Sequence, residues 1–98
     1  MPAYVVVMRD EMKNPEQYAA YGQKAMASFA GTGAKLLVAN GAFESIEGER
    51  PDGIVVIEFP TVEAAKAWYY SPAYQAAVGD RLASTTGRLV IVEGFPPG

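Results

Sequence analysis

The sequence predicts a single α+β domain in which one antiparallel sheet carries its helices on one face. Segments rich in β-branched and aromatic residues alternate with segments that have helix-start signals, in the order β, α, β, β, α, β. The chain has 98 residues, the usual size of one domain. Half of these residues are apolar and 19% are charged, a composition typical of a folded protein.

The first strand and the first helix are predicted between residues 4 and 29. The run from Tyr4 to Met8 is rich in β-branched residues and predicts a buried strand. Asn14 can cap a helix, and Pro15 fits the first helical position. The apolar face of this helix recurs at steps of four, three and four, at Tyr18, Gly22, Ala25 and Phe29.

The second and third strands are predicted to follow each other through a polar turn. The second strand begins at Lys35, bends at Asn40-Gly41 and continues from Phe43 to Ile46. Residues 47–53 are rich in turn formers and form the connection. The third strand, from Ile54 to Phe59, is the most apolar segment of the chain.

The second half of the chain predicts two more helices and a last strand. Thr61 caps a helix from Val62 to Tyr70, and Ser71-Pro72 opens a further short helix. Leu89 to Val92 is the fourth strand. The apolar face of the short helix is predicted to consist of Tyr74, Ala77, Val78 and Leu82.

This order of elements predicts the ferredoxin-like βαββαβ topology, with residues 1–98 as one domain. One helix connects the first strand to the second, and the later helices connect the third strand to the fourth. Right-handed crossovers then place the helices on one face of a four-stranded sheet whose neighbouring strands are antiparallel. The tail from Gly94 to Gly98 contains two prolines and is expected to lie outside the sheet.

The strands are apolar on both faces, which predicts a homodimer. On the first strand, Tyr4, Val6 and Met8 point one way while Val5 and Val7 point the other. The helices cover only one face, so the other face would expose apolar side chains to water. Such exposure costs ~25 cal/mol of free energy per Å² of apolar surface. A second copy packed sheet to sheet covers that face. A monomer with an exposed apolar face is the alternative.

Composition argues against several classes of function. Eight basic residues are scattered and outnumbered by eleven acidic ones, so the net charge of −3 disfavours nucleic acid as a partner. No apolar run approaches the ~20 residues of a membrane helix, so we expect no membrane partner and a cytoplasmic location. The chain contains no cysteine and no histidine, which excludes disulfides and thiolate or histidine catalysis. The acidic residues show no metal-ligand spacing, and we expect no metal and no other cofactor.

Four motifs occur in order along the chain. They are Asn14-Pro15-Glu16-Gln17-Tyr18, Glu58-Phe59-Pro60-Thr61, Ser71-Pro72-Ala73-Tyr74-Gln75 and Leu89-Val90-Ile91-Val92-Glu93-Gly94. Through them, nearly the whole chain resembles the family of domains of unknown function numbered 1330. The resemblance implies a dimeric α/β barrel, in which two ferredoxin-like sheets face each other. Related barrels include cofactor-independent monooxygenases, lactone isomerases and small-ligand sensing domains.

Glu58 is the candidate catalytic residue. It lies on the same strand face as Ile54 and Val56, near the end of an apolar run, where a partly buried carboxylate can act as an acid or a base. The alternative is a solvated or ion-paired carboxylate at a strand end. We expect Glu58 to line a pocket beside three aromatic residues, Trp68, Tyr69 and Tyr74.

These aromatic residues, together with Tyr18, are the candidate ligand-binding residues. A tyrosine buries its ring and presents a hydroxyl, which suits a flat organic ligand. Tyr18 and Tyr74 each follow a helix start that contains proline, and we expect both to donate a hydroxyl into a cleft. The alternative is that aromatic residues at helical spacing form only the core.

These features predict a homodimer that binds a small organic molecule. Glu58 and one or more tyrosines would carry out acid/base chemistry on that molecule without a cofactor. The first alternative is a non-catalytic module that binds a metabolite or a partner protein through the same cleft. The second is a structural dimer whose aromatic residues form only the core.

Overall fold

The computed structural model describes residues 1–95. It contains four strands and three helices: β1 (Ala3–Met12), α1 (Pro15–Ser28), β2 (Lys35–Ala39), β3 (Gly53–Phe59), α2 (Val62–Tyr69), α3 (Pro72–Ser84) and β4 (Thr85–Glu93). Residues 96–98 of the predicted tail lie outside the described range. In the part described, none of the helices combines the length and the hydropathy needed to cross a bilayer.

The strands form one antiparallel sheet in the order β2-β3-β1-β4. This order is the ferredoxin-like topology that the sequence predicts. The helices pack on one face of the sheet, and the core lies between the two layers. The largest fully buried side chains of this core include Val5, Phe59, Trp68 and Tyr74. The helix layer therefore covers the face that carries Val5 and Phe59.

Side-chain caps start all three helices where the sequence predicts them. Asn14, Thr61 and Ser71 each accept a hydrogen bond from the backbone amide three residues later, over 3.0 to 3.2 Å. Each cap satisfies an amide that the first helical turn leaves without a partner, which stabilises a helix by ~1 kcal/mol. Pro15 and Pro72 lie in the first turns of α1 and α3, as expected.

The prediction that the second strand continues from Phe43 to Ile46 is wrong. β2 ends at Ala39 because Asn40 adopts a left-handed conformation, with a φ of 56°. The backbone amide of Asn40 donates to the Ile54 carbonyl over 2.8 Å, which turns the chain away from the sheet. The pairing of β2 with β3 ends where Ala39 lies opposite Val55, so residues 43–46 lie beyond the paired region.

The predicted short helix, α3, is longer than expected and buries three of the four residues predicted for its apolar face, Tyr74, Ala77 and Val78. Leu82 was expected on the apolar face but is 60% exposed, so that prediction is wrong. Arg81, one residue earlier, points inward instead. β4 begins directly after this helix, at Thr85 rather than at Leu89. The buried face of α3 consists of Tyr74, Ala77, Val78, Arg81 and Ser84.

The face of the sheet opposite the helices is apolar. Cross-strand pairing aligns one valine from each strand into a continuous row, made of Val38, Val56, Val6 and Val90. Val90 is 52% exposed at the end of this row. The term open face is used below for the valine row together with its neighbours Tyr4, Met8, Ile54, Glu58 and Val92.

Candidate functional site

A cavity of about 170 Å³ lies between α1 and the sheet. It exists because α1 packs mainly on α3 rather than on the sheet, and because α1 lines the cavity with the small residues Gly22 and Ala25. A Cβ added at Gly22 would meet no atom within 4 Å, so the space beside this residue is open. The sheet contributes apolar side chains to the wall, among them Val7, Val55 and Leu89.

Arg9 and Tyr18 line the cavity in a fixed arrangement. Arg9 Nε donates to Asp52 Oδ2 over 2.8 Å, and Arg9 Nη1 donates to Asn40 Oδ1 over 3.0 Å. The guanidinium carbon lies 4.9 Å from the centre of the Tyr18 ring, within the range of a cation–π contact. The charge of Arg9 is therefore balanced by Asp52, and the position of its side chain is held by three neighbours.

Arg81 is the second arginine of the cavity wall, and its charge is not balanced in the same way. The residue is 7% exposed, and its Nε has no hydrogen-bond partner among residues 1–95. The adjacent carboxylate of Asp80 accepts hydrogen bonds from Lys24 Nζ over 2.8 Å and from Gln17 Nε2 over 3.1 Å. These bonds lower the pKa of Asp80. Within the described part of the chain, Arg81 thus brings an uncompensated positive charge to the cavity.

Tyr21 lines the cavity and shares a hydrogen bond with Tyr74. The two hydroxyl oxygens are 2.9 Å apart, and Tyr74 is fully buried. Burial raises the pKa of Tyr21, the neighbouring Tyr74 raises it further, and the charge of Arg81 opposes the rise. Tyr21 therefore stays protonated at neutral pH and takes part in hydrogen bonds as a neutral hydroxyl.

We expect the free energy of unfolding to fall as the pH rises above about 10 because of Tyr21. Below that pH the residue keeps its proton in both the folded and the unfolded state, so it does not make the stability depend on pH. Above it, the unfolded chain loses the proton while the raised pKa retains it in the folded protein. The free energy of unfolding then drops by up to ~1.4 kcal/mol per pH unit.

Urea unfolding at about pH 8 and about pH 11 tests this prediction by comparing the wild type with Tyr21→Phe. The variant should lose less stability at the higher pH than the wild type does. Tyr70→Phe is the matched control, because it removes the same hydroxyl from a tyrosine that is 72% exposed and lies outside the core. Equal losses in the wild type and Tyr21→Phe would contradict the prediction.

The four predicted ligand-binding aromatic residues do not all reach the cavity. Tyr18 lines it, and Trp68 forms part of its wall although this residue is only 2% exposed. Tyr74 does not line the cavity and contacts it through the hydroxyl of Tyr21. Tyr69 lies at a separate depression. A role of these residues in ligand binding stays a prediction.

Trp68 is the centre of the aromatic core. Its ring centroid lies 4.1 Å from that of Tyr74, 5.3 Å from that of Phe59 and 5.4 Å from that of Phe29. Its indole Nε1 donates to Ser28 Oγ over 2.9 Å. These partners belong to α3, to β3 and to the end of α1, so Trp68 joins the helix layer to the sheet.

The structure contradicts the prediction that Glu58 lines a pocket beside Trp68, Tyr69 and Tyr74. Side chains alternate along β3, and the neighbours Ile57 and Phe59 point toward the helices. Glu58 therefore lies on the open face, where it is half-buried and the Tyr4 hydroxyl lies 3.5 Å from its Oε1. A catalytic role of Glu58 stays a prediction, and it would apply to the open face.

The polar part of the cavity wall consists of cations, hydroxyls and an amide. Among the described residues that line it, none is an aspartate or a glutamate. Residues 1–95 also contain no group of three or more His, Cys, Asp or Glu side chains placed to hold a metal ion. The wall can therefore bind an organic group by hydrogen bonds and positive charge, but its described residues offer no carboxylate as a general base. Its polar side chains are Arg9, Tyr18, Tyr21, Asn40, Arg81, Thr85 and Thr86.

Arg9 and Arg81 are the charged site residues that sequence reasoning missed. A signal for Arg81 exists, because it lies seven residues after Tyr74 and three after Val78 on the stripe of α3 that faces the core. A charged residue on such a stripe indicates a buried cation that needs compensation. Tyr21 has a signal of the same kind, because it lies three residues after Tyr18 and four before Ala25 on the predicted apolar face of α1.

Three solved structures are similar in fold to this chain. A protein of unknown function from Rhodopseudomonas palustris is 28% identical, with a TM-score of 0.75, over 98% of this chain and 84% of its own. A dimeric ferredoxin-like protein of unknown function from Jannaschia sp. CCS1 is 21% identical, with a TM-score of 0.71, over 96% and 100%. SnoaB, a cofactor-independent oxygenase from Streptomyces nogalater, is 10% identical, with a TM-score of 0.61, over 98% and 94%. The last two likenesses show the fold alone.

No curated protein matches the sequence. A family model does match it, over residues 2–95, which is nearly the whole chain. The resemblance that the four sequence motifs indicate is thereby confirmed. The chain belongs to the family described as Domain of unknown function (DUF1330).

Proposed function

We propose that this protein is a homodimer that binds one small organic molecule per protomer in the cavity between α1 and the sheet. The cavity itself carries the proposal, because its walls are apolar and a few polar groups, those of Arg9, Tyr21 and Arg81, face the same space. Sites for small organic ligands combine these two features, the apolar wall for affinity and the polar groups for orientation.

The volume of the cavity is suited to a ligand of about one ring. At about 170 Å³ the cavity is close in size to an apolar cavity of about 150 Å³ that binds benzene. Aromatic side chains in the wall, from Tyr18, Phe29 and Trp68, offer faces and edges to a flat ring. The ligand proposed here is therefore a monocyclic aromatic molecule or one of similar size and shape.

The described wall supports binding more strongly than acid/base catalysis. It offers no carboxylate, and Tyr21 stays protonated at neutral pH. An enzyme that acts without a cofactor is the second candidate, because the hydroxyl of Tyr21 can donate to an oxygen that becomes negative during a reaction. The likeness in fold to a cofactor-independent oxygenase is compatible with that candidate.

The proposed dimer is formed through the open face. A continuous row of valines crosses all four strands there, and Val90 and Val92 are each about half exposed in the single protomer. Apolar side chains in such a row gain stability when a second copy covers them. The neighbour from Jannaschia sp. CCS1 is described as dimeric, which supports a dimeric state here.

The cavity proposal predicts that Gly22→Leu abolishes ligand binding while stabilising the protein. Leucine at this position extends into the open space beside Gly22 and fills the cavity. It also has a higher helix propensity than glycine, so we expect the free energy of unfolding to rise by about 1 kcal/mol. NMR titration with toluene as the probe should show an affinity lower than that of the wild type by about tenfold or more.

Gly79→Leu is the matched control for this experiment. Gly79 also lies inside a helix and has no atom within 4 Å of an added Cβ, but it is exposed and does not line the cavity. This variant should gain similar stability from helix propensity and bind toluene as the wild type does. Equal toluene binding by both variants, or no binding of any ring-sized probe to the wild type, would overturn the cavity proposal.

A further inference from the structure

Arg81 is a buried cation that no described group of the protein compensates. It is 7% exposed, and its Nε bonds to no group of residues 1–95. No carboxylate of that range forms an ion pair with it, whereas Arg9 pairs with Asp52 and Arg88 pairs with Asp10. Arg81 lines the wall of the cavity and also the depression beside Tyr69, so the compensating group can come from a molecule bound in the cavity.

The chemistry of arginine makes this arrangement unfavourable in the empty protein. A guanidinium cannot become neutral by losing a proton, unlike a buried lysine or histidine. Removing it from water without a partner is costly, and replacing buried charged groups by apolar side chains of similar volume is often neutral or stabilising. An arginine held here is therefore suited to a bound anion, which would restore the balance of charge.

We infer that the ligand carries a carboxylate that pairs with Arg81, an inference that rests on the proposed function of the cavity. The ligand class is that of monocyclic aromatic carboxylates and carboxylates of similar size. Arginine pairs with a carboxylate through two parallel hydrogen bonds. This pairing fixes the orientation of the ligand and balances its charge. An inorganic anion would balance the charge but leave the apolar wall of the cavity uncovered.

Tyr21 supplies a second donor to the same carboxylate. Its hydroxyl bonds to that of Tyr74, and either oxygen can be the donor of this pair. When Tyr74 donates, the proton of Tyr21 is free for an oxygen of the ligand. Tyr21 lines the cavity close to Arg81. The positive charge of Arg81 lowers the pKa of Tyr21, whereas burial raises it. The two residues can therefore bind the same anionic group.

Benzoate and benzamide test the inference, because they share one shape and differ in charge. NMR titration of the wild type should show benzoate binding about tenfold or more tightly than benzamide. In Arg81→Met, benzoate should bind no more tightly than benzamide, while the affinity for benzamide stays unchanged. The ligand-free variant should melt at the same temperature as the wild type or higher, since an unpaired buried cation has been removed.

Lys13→Met is the matched control, because it removes the same charge at an exposed residue outside the cavity and should retain the preference for benzoate. If Arg81→Met does not fold, Arg81→Lys keeps the charge without the planar fork and should show a reduced preference for benzoate.

Equal binding of benzoate and benzamide to the wild type would overturn this inference and leave the cavity proposal intact. Failure of toluene, benzoate and benzamide alike would overturn both. A preference that survives in Arg81→Met would overturn the role of Arg81.

Discussion

Replacement of Trp68 by alanine is expected to lower the free energy of unfolding by about 3–5 kcal/mol. The indole is 2% exposed and contacts Tyr74, Phe59 and Phe29, so its loss leaves a cavity at the junction of the helices and the sheet. A domain of this size has only about 5–15 kcal/mol of stability in total. Urea unfolding at a fixed protein concentration, followed by far-UV circular dichroism, measures the change. Fluorescence does not serve here, because Trp68 is the only tryptophan of the chain.

Two further variants separate packing from the hydrogen bond of the indole. Trp68→Phe keeps an aromatic ring but removes the donor to Ser28, whose hydroxyl still donates to the Ala25 carbonyl. We expect this variant to lose about 1–2 kcal/mol and to stay folded even if Trp68→Ala does not. Tyr70→Ala, at an exposed aromatic residue of the same segment, should change stability by only ~0.5 kcal/mol. A loss of under ~1 kcal/mol in Trp68→Ala would contradict the packing described here.

Replacement of Val90 by lysine is expected to dissociate the proposed dimer. Val90 lies at the end of the valine row of the open face. A symmetric dimer contains the substitution twice, once in each protomer. A lysine buried there without a partner costs several kcal/mol, which corresponds to a dissociation constant raised by about a hundredfold or more. Light scattering across a series of protein concentrations measures the shift from dimer to monomer.

Leu82→Lys provides the matched control for the dimer. Leu82 is 60% exposed, similar to the 52% of Val90, but it lies on α3, on the other side of the sheet. The same change of residue type there should leave the dissociation constant as it is. A Val90→Lys protein that remains dimeric at the lowest concentrations, with the wild-type dissociation constant, would exclude the open face as the interface.

The sequence predicts those parts of the fold that depend on residues close together along the chain. The caps at Asn14, Thr61 and Ser71 are local signals, and the helices begin where these signals predict. The extension of the second strand to Ile46 is wrong because the residue types of positions 43–46 say nothing about a partner strand. The left-handed conformation of Asn40 and its hydrogen bond to Ile54 decide where the pairing ends.

The candidate site was harder to predict, because both faces of the sheet are apolar. The pattern of β3 correctly separates Glu58 from Phe59, but it does not show which of the two faces the helices cover. That choice places Glu58 on the open face and leaves the cavity on the other side. The same difficulty applies to α3, where Arg81 and Leu82 both fit a helical stripe and only the packing of α1 decides between them.

The way α1 is attached has a consequence for the rate at which a ligand is exchanged. This helix forms one wall of the cavity but rests mainly on α3, while the sheet forms the other wall. A ligand can therefore leave when α1 moves away from the strands, with the pairing of β1, β3 and β4 intact. The residence time of a ligand would then be set by the opening of one helix, an event far more frequent than the unfolding of the domain.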